Sequence, residues 1–240
     1  MYSFREKTVL ITGASRGIGA ALAHAIAGEG ANLCLVARDA DAVRTISYEL
    51  RRKYNTDVMG RACDIRDFSR VDAFVRDAVQ RFSRIDVVIN NAAVLGVMAP
   101  IHEYPVEQWN STLATNLHGA FYVSHSCLRA MKGQAGGGRI VFVSSSVAKH
   151  LRAGWGAYAV SKCAVEALME LISLESEQTG VIACSINPGG AATAMRRLAY
   201  PQEDQSQLPT PEQVAEAFLK ILRLPDKALN GRAFNARDYL

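Results

Sequence analysis

The feature that most constrains this chain is a regular alternation of short apolar runs with longer helical patterns. Thr8–Ile11, Leu33–Val36, Asp57–Arg61, Val87–Ile89, Ile140–Val143 and Val181–Ile186 read as strands, most of them unbroken runs rich in Val and Ile. Strands of a parallel sheet covered on both faces look like that, because neither face meets water. Between them, Gly17–Glu29, Asp41–Tyr54, Ser69–Phe82, Val106–Met131 and Tyr158–Gln178 carry Ala, Leu and charged residues at helical spacing. Strand and helix in regular turn predict an α/β, doubly wound, mostly parallel sheet with right-handed crossovers. A further helix is predicted over Pro211–Leu222, with Thr210 as cap and Pro211 at the first helical position. Arg232–Asn235 predicts a final edge strand, the seventh.

No linker is long enough to divide the chain, so a single domain over residues 1–240 is expected. Gly133–Gly138 reads as a helix-to-strand turn, and the polar Tyr200–Leu208 as a surface loop within a substrate loop around 190–210. A composition of 49% hydrophobic and 21% charged residues excludes wholesale disorder. Lys+Arg 27 against Asp+Glu 23 leaves a net charge of +4, which is no nucleic-acid signature. No apolar run is long enough for a spanning helix, so no membrane partner is expected. The polar stretch Met1–Lys7 does not read as a signal peptide. Cys34, Cys63, Cys127, Cys163 and Cys184 are odd in number and widely spaced. They read as reduced thiols in a cytoplasmic protein, with no zinc spacing and no metal site. His24, His102, His118 and His125 likewise show no metal spacing. Cys163 stands beside Lys162 and is the thiol to check for reactivity.

The first predicted strand ends in Thr12-Gly13-Ala14-Ser15-Arg16-Gly17-Ile18-Gly19, and a helix follows at once. Gly13 permits a tight turn, Gly17 lets a pyrophosphate approach the backbone, and Gly19 lets the helix pack close to the sheet. The helix N-terminus offers free N–H groups and its positive dipole end to phosphates. No Gly-Lys-Ser/Thr follows, which argues against a P-loop nucleotidase. Arg38 lies about twenty residues beyond the glycines, where a dinucleotide's ribose is read. Arg16 and Arg38 together suit a dianionic 2′-phosphate, so NADP(H) is favoured. The adjacent Asp39 leaves NAD(H) open.

Tyr158 and Lys162, four residues apart, share one helical face. An ammonium beside the phenol would lower its pKa from about 10 and fit it for proton transfer in carbonyl reduction or alcohol oxidation. Ser144-Ser145-Ser146 follows a central apolar strand, at the end where ligands bind in such sheets. Trp155, three residues before Tyr158, suits an apolar pocket wall or a subunit contact.

In this order and spacing, the chain resembles the short-chain dehydrogenase/reductase family over nearly its whole length. The matching residues are Thr12–Gly19, Asp64-Ile65, Asn90-Asn91-Ala92-Ala93, Asn116, Ser144–Ser146, Tyr158, Lys162, and Asn187-Pro188-Gly189 with Thr193. The resemblance implies a Rossmann-like fold. It implies Tyr158 as proton donor or acceptor, and Lys162 as the group that lowers the phenol's pKa and holds the nicotinamide ribose. Ser145, thirteen residues before Tyr158, would orient the substrate carbonyl, with Ser146 as fallback. Asn116 would distort its helix and support a proton-relay water. Gly13, Ser15, Arg16, Gly17, Ile18, Gly19, Arg38, Asp64, Ile65, Asn90, Ala92, Pro188, Gly189 and Thr193 would border the cofactor. Ala37 stands at the usual NAD-selecting position, which the resemblance reads as favouring NADP.

Departures are Ala93 where the family has glycine, Lys149-His150-Leu151-Arg152 after the serines, and a C-terminus without the common Asp-Gly-Gly. The stretch Asn187–Arg197, with Glu203-Asp204, resembles a bacterial subgroup with no established substrate. His150, Trp155 and Met195 are the remaining candidates for substrate contact. A basic rim of Lys149, His150, Arg152, Arg196 and Arg197 suggests anionic or carrier-tethered substrates. The expected activity is NADP(H)-dependent interconversion of a small-molecule carbonyl and an alcohol. The alternatives are a 3-oxoacyl thioester reductase of the acyl-carrier-protein type and a catalytically silent cofactor-binding regulatory protein. The resemblance also implies a homodimer or homotetramer built through the long helices.

Overall fold

The computed structural model describes residues 2–176 and 178–240. Seven strands form one sheet: β1 (Thr8–Thr12), β2 (Asn32–Ala37), β3 (Val58–Ala62), β4 (Val87–Asn90), β5 (Gly138–Val143), β6 (Val181–Asn187) and β7 (Arg232–Asn235). Their order is β3-β2-β1-β4-β5-β6-β7, and every neighbouring pair runs parallel. This is the Rossmann-like arrangement, with the crossover reversing direction between β1 and β4.

Two apolar layers cover the sheet. Helices α1 (Gly17–Gly28), α2 (Ala40–Tyr54) and α8 (Pro211–Leu222) bury Leu22, Ile26, Leu50 and Phe218 on one face. Helices α3 (Phe68–Phe82), α5 (Gly119–Met131) and α6 (Gly156–Glu175) bury Phe74, Cys127 and Met169 on the other. Within β1, Val9 and Ile11 enter the first layer and Leu10 the second, as the strand period of two requires. Four of the five cysteines are buried in these layers, and all five thiols are free. Among the described residues, no helix is long and apolar enough to cross a membrane, and no cluster of three metal-ligating side chains occurs.

The predicted helix Val106–Met131 is three elements: α4 (Val106–Leu113), a π-helical turn at Ala114–His118, and α5. The wide turn contains Asn116, whose amide is occupied by groups outside its own helix. The predicted helix Tyr158–Gln178 begins earlier, at Gly156, and ends at Glu175; Glu177 lies outside the described residues, as does Met1 at the N-terminus. Two short helices, α7 (Ala194–Ala199) and α9 (Asp226–Leu229), fall where only loop was expected. Thr193, which accepts from the Arg196 N–H, caps α7.

Candidate active site

The turn between β1 and α1 is closed by contacts to the end of β4. Gly13 has φ +65° and Gly17 φ +55°, both in the left-handed region that glycine adopts without strain. A Cβ on Gly13 would lie 2.8 Å from Ala92 Cα, and one on Gly19 would lie 2.5 Å from Asn91 Nδ2. Thr12 Oγ1 accepts from the backbone N–H groups of Asn91 (3.1 Å) and Ala92 (3.0 Å). Asn91 Nδ2 donates back to the carbonyls of Thr12 (2.9 Å) and Gly13 (3.2 Å). Thr12 and Asn91 therefore clamp the turn, although the sequence motif marks them only as members of longer runs.

Above this turn, the N-terminus of α1 at Arg16 has no side-chain cap and no acid in its first turn. By contrast, Asp39 caps α2, Asp67 caps α3 and Thr210 caps α8. The uncapped N–H groups over a glycine cradle fit an anionic dinucleotide. So does buried Asn90, whose Nδ2 donates to Ser124 Oγ (3.0 Å) while its Oδ1 has no partner. Arg38 is exposed just past β2. Asp39 accepts from the Ala42 N–H at 3.0 Å, so its carboxylate is engaged with α2. Asp64 is bound to Arg66 at 2.6 Å, and that bond holds its carboxyl below the usual carboxylate range. Ile65 turns its side chain into the core against Gly119, leaving its backbone for any ligand. Thr193 lies across from Gly17, with its Cγ2 3.7 Å from a Cβ built there. The Gly189 N–H donates to Asn187 Oδ1 (3.0 Å), and Arg237 from the C-terminal turn packs against Gly189 and Gly190. Ser15, Ile18 and Pro188 stand half-buried along the same edge.

Tyr158, Lys162, Ser145 and Asn116 converge at the C-terminal end of β5. Tyr158 is buried, and its phenol meets the Ser145 hydroxyl. Ser146 is exposed and opens the short Ser146–Ala148 turn, leading away from the phenol. Lys162 Nζ donates to the Val143 carbonyl at 2.7 Å and lies 5.7 Å from the Tyr158 ring centre. Asn116 holds the loop after β4 from both sides: Oδ1 accepts from the Val94 N–H (2.8 Å), and Nδ2 donates to the Val94 carbonyl (2.9 Å) and Ser161 Oγ (3.0 Å).

Burial raises the Tyr158 phenol above its ordinary value, and the Ser145 hydrogen bond opposes that rise. Burial is the larger cause, and the lowering expected from Lys162 is not found, its ammonium being turned onto the Val143 carbonyl. Burial brings Lys162 down to about 8, and the carboxylate of Glu166 opposes this. Glu166 itself accepts from Ser185 Oγ at 2.7 Å. It follows Lys162 by one helical turn, a spacing from which its influence was readable.

Substrate candidates divide. Trp155 and Met195 join Tyr158 in an apolar cluster with Leu95, Val147, Ala159, Ala199 and Tyr200. Trp155 therefore packs within its own chain. Exposed His150 instead lines a cavity of about 90 Å³ with Ser145, Ser146, Lys149, Glu166, Asn187 and residues of β7.

Comparison with known proteins bears directly on this arrangement. Residues 7–204 match the model of the short chain dehydrogenase family. The chain belongs to the short-chain dehydrogenase family. It is thus an oxidoreductase of the kind that acts on CH–OH groups. It is 30% identical to the oxidoreductase YciK of Escherichia coli (strain K12), over 97% of this chain and 92% of that one. It is 32% identical to the D-beta-hydroxybutyrate dehydrogenase of Rhizobium meliloti (strain 1021), over 89% of this chain and 83% of that one. A short-chain dehydrogenase structure from Escherichia coli CFT073, complexed with NADPH, superposes with TM-score 0.92 at 30% identity, covering 98% of both chains.

Proposed function

We propose that this dehydrogenase uses NADP(H) to interconvert a small-molecule carbonyl and the corresponding alcohol, with Tyr158 exchanging the proton. The observation that carries the reading is the pairing of buried Tyr158 with buried Lys162, whose Nζ lies 5.7 Å from the Tyr158 ring centre and bonds to the Val143 carbonyl at the end of β5. The NADPH complex of the related E. coli structure supports the choice of cofactor.

The residues divide the work as follows. Gly13, Ser15, Gly17 and Gly19 with the α1 N–H groups hold the diphosphate, and Arg16 and Arg38 take the 2′-phosphate. Asp39 spends Oδ1 on the cap of α2, and exposed Arg38 beside it favours the phosphorylated cofactor. When bound, the nicotinamide would supply the hydride in reduction and take it in oxidation. Ser145 orients the substrate oxygen, and the Tyr158 phenol gives it a proton in reduction and takes one in oxidation. A phenol held above its ordinary pKa stays protonated at neutral pH, which suits reduction. Lys162 would hold the nicotinamide ribose. Asn116 keeps the neighbouring loop and Ser161 in place. The whole chain acts as a single domain, cytoplasmic and homo-oligomeric.

Tyr158→Phe tests the reading. Turnover with NADPH should fall by at least about a thousandfold while NADPH affinity stays within about twofold. Retained turnover refutes the assignment. NADH oxidation far faster than NADPH oxidation refutes the reading of Arg38.

A further inference from the structure

Aromatic and aliphatic side chains surround the Tyr158 ring. Its ring centre lies 5.6 Å from that of Trp155, which in turn lies 5.9 Å from that of Tyr200. Leu95, Val147, Met195 and Ala199 fill the same cluster, and only 8% of Tyr158 is exposed. Met195, Ala199 and Tyr200 come from one segment and pack against this cluster, so the bulk of a substrate at Tyr158 meets these side chains.

The cations expected at the entrance are arranged around this cluster. Arg196 stacks 3.9 Å over the Tyr200 ring and makes two 2.5 Å bonds to Glu203, one from Nε and one from its terminal nitrogen. That pair leaves its charge committed. Arg152 donates to the Tyr200 hydroxyl at 2.7 Å from an exposed position. Lys149, His150 and Arg197 are exposed as well, where water and salt screen them. A carboxylate brought in beside Tyr158 would lose its water and find an apolar wall. A ring brought to the same place gains burial and offset stacking against Trp155 and Tyr200.

We propose that the substrate is a neutral ketone, or its secondary alcohol, carrying an apolar ring that packs against Trp155 and Tyr200, and that an anionic group on that ring is rejected. This rests on the assignment of Tyr158 as the proton-exchanging residue. Tyr200 is the specificity-determining side chain, held in place by Arg152 at its hydroxyl and by Arg196 at its face. The inference replaces the anionic or carrier-tethered substrate that the basic rim suggests in sequence.

The test compares acetophenone, 4-acetylbenzoate and acetone with the full-length protein and NADPH. Acetophenone should exceed 4-acetylbenzoate in kcat/KM by about a hundredfold. Tyr200→Ala should raise the acetophenone KM about tenfold with little change in kcat, and leave the acetone KM and NADPH affinity unaltered. Tyr200→Phe should restore the acetophenone KM, because the ring is what packs. Equal turnover of the carboxylate, or an unchanged KM in Tyr200→Ala, overturns the proposal. Binding of the two aromatic ketones is also read from Trp155 fluorescence in a Trp109→Phe background. Selective binding of acetophenone without turnover refutes the role of Tyr158 and upholds the substrate class. Turnover of acetone with no preference between the aromatic ketones does the reverse.

Discussion

The turn after β1 and the segment from Gly190 to Leu208 border the same site and are held in opposite ways. The turn is fixed by backbone: Thr12 and Asn91 clamp it, and at Gly13 and Gly19 there is no room for a methyl group. The segment is fixed by side chains on one another: Arg196 on Glu203, Arg152 on Tyr200, and Met195 on the aromatic cluster. Backbone contacts are set by chain geometry and tolerate little change. Side-chain contacts are exchangeable, so the second region can vary with the substrate while the first cannot.

The harshest way to break the first region is Gly19→Ala. Its Cβ would sit 2.5 Å from Asn91 Nδ2 and closer still to the Gly13 carbonyl, with backbone on one side and a clamped amide on the other. Destabilisation of about 3 kcal/mol is expected, with loss of NADPH binding measured by fluorescence titration. Normal NADPH affinity and stability in this variant would show that the turn has slack after all.

Between the two regions lies Lys162. Its native pKa of about 8 stands below the ordinary 10.5 it regains on unfolding. Between those values the unfolded chain binds the extra proton, so the contribution of this group to stability rises with pH from about 8 to 10.5. Below about 8 both states are charged and the full cost of the buried ammonium is present. Lys162→Met removes that cost, of the order of 3 kcal/mol, and loses the Val143 hydrogen bond, worth about 1 kcal/mol. Denaturant unfolding should find the variant more stable at pH 7, inactive, and converging on the parent towards pH 10. A variant less stable at pH 7 would mean that the ammonium is not buried at a cost.

The mildest change is Glu203→Gln in the second region. A partly exposed surface ion pair contributes little, so the unfolding midpoint should stay within about 2 °C and NADPH affinity should not move. The freed Arg196 should lower the KM for 4-acetylbenzoate by a few-fold. A large fall in stability would show that the segment is held as tightly as the turn.

Much of the first region was readable because its signals are local. The glycines, the strand before them and the helix after them lie within twenty residues, and β1 to β7 were found with ends shifted by two residues at most. Asn116 was picked out as the place where the long helix departs from regularity, and the π turn falls there. The second region was read less well. Thr193 is a serviceable helix-capping signal, yet α7 passed for loop, because six residues are too few for apolar periodicity to show. Arg196, expected at a basic rim, is paired with Glu203, which lies across a turn that no spacing rule specifies.

By itself the sequence determined the alternation of strands and helices, the parallel sheet, the glycine turn and the pairing of Tyr158 with Lys162 on one face. All of these follow from backbone periodicity and steric limits that act over a few residues. Only the tertiary structure decided that Ser145 and not Ser146 meets the phenol, that Lys162 turns onto Val143, that Asp39 is occupied by α2, and that Trp155 and Tyr200 wall Tyr158 with apolar surface. Such matters depend on which side chains arrive together from distant parts of the chain. Competition for burial and hydrogen bonds resolves them, and no local pattern records its outcome.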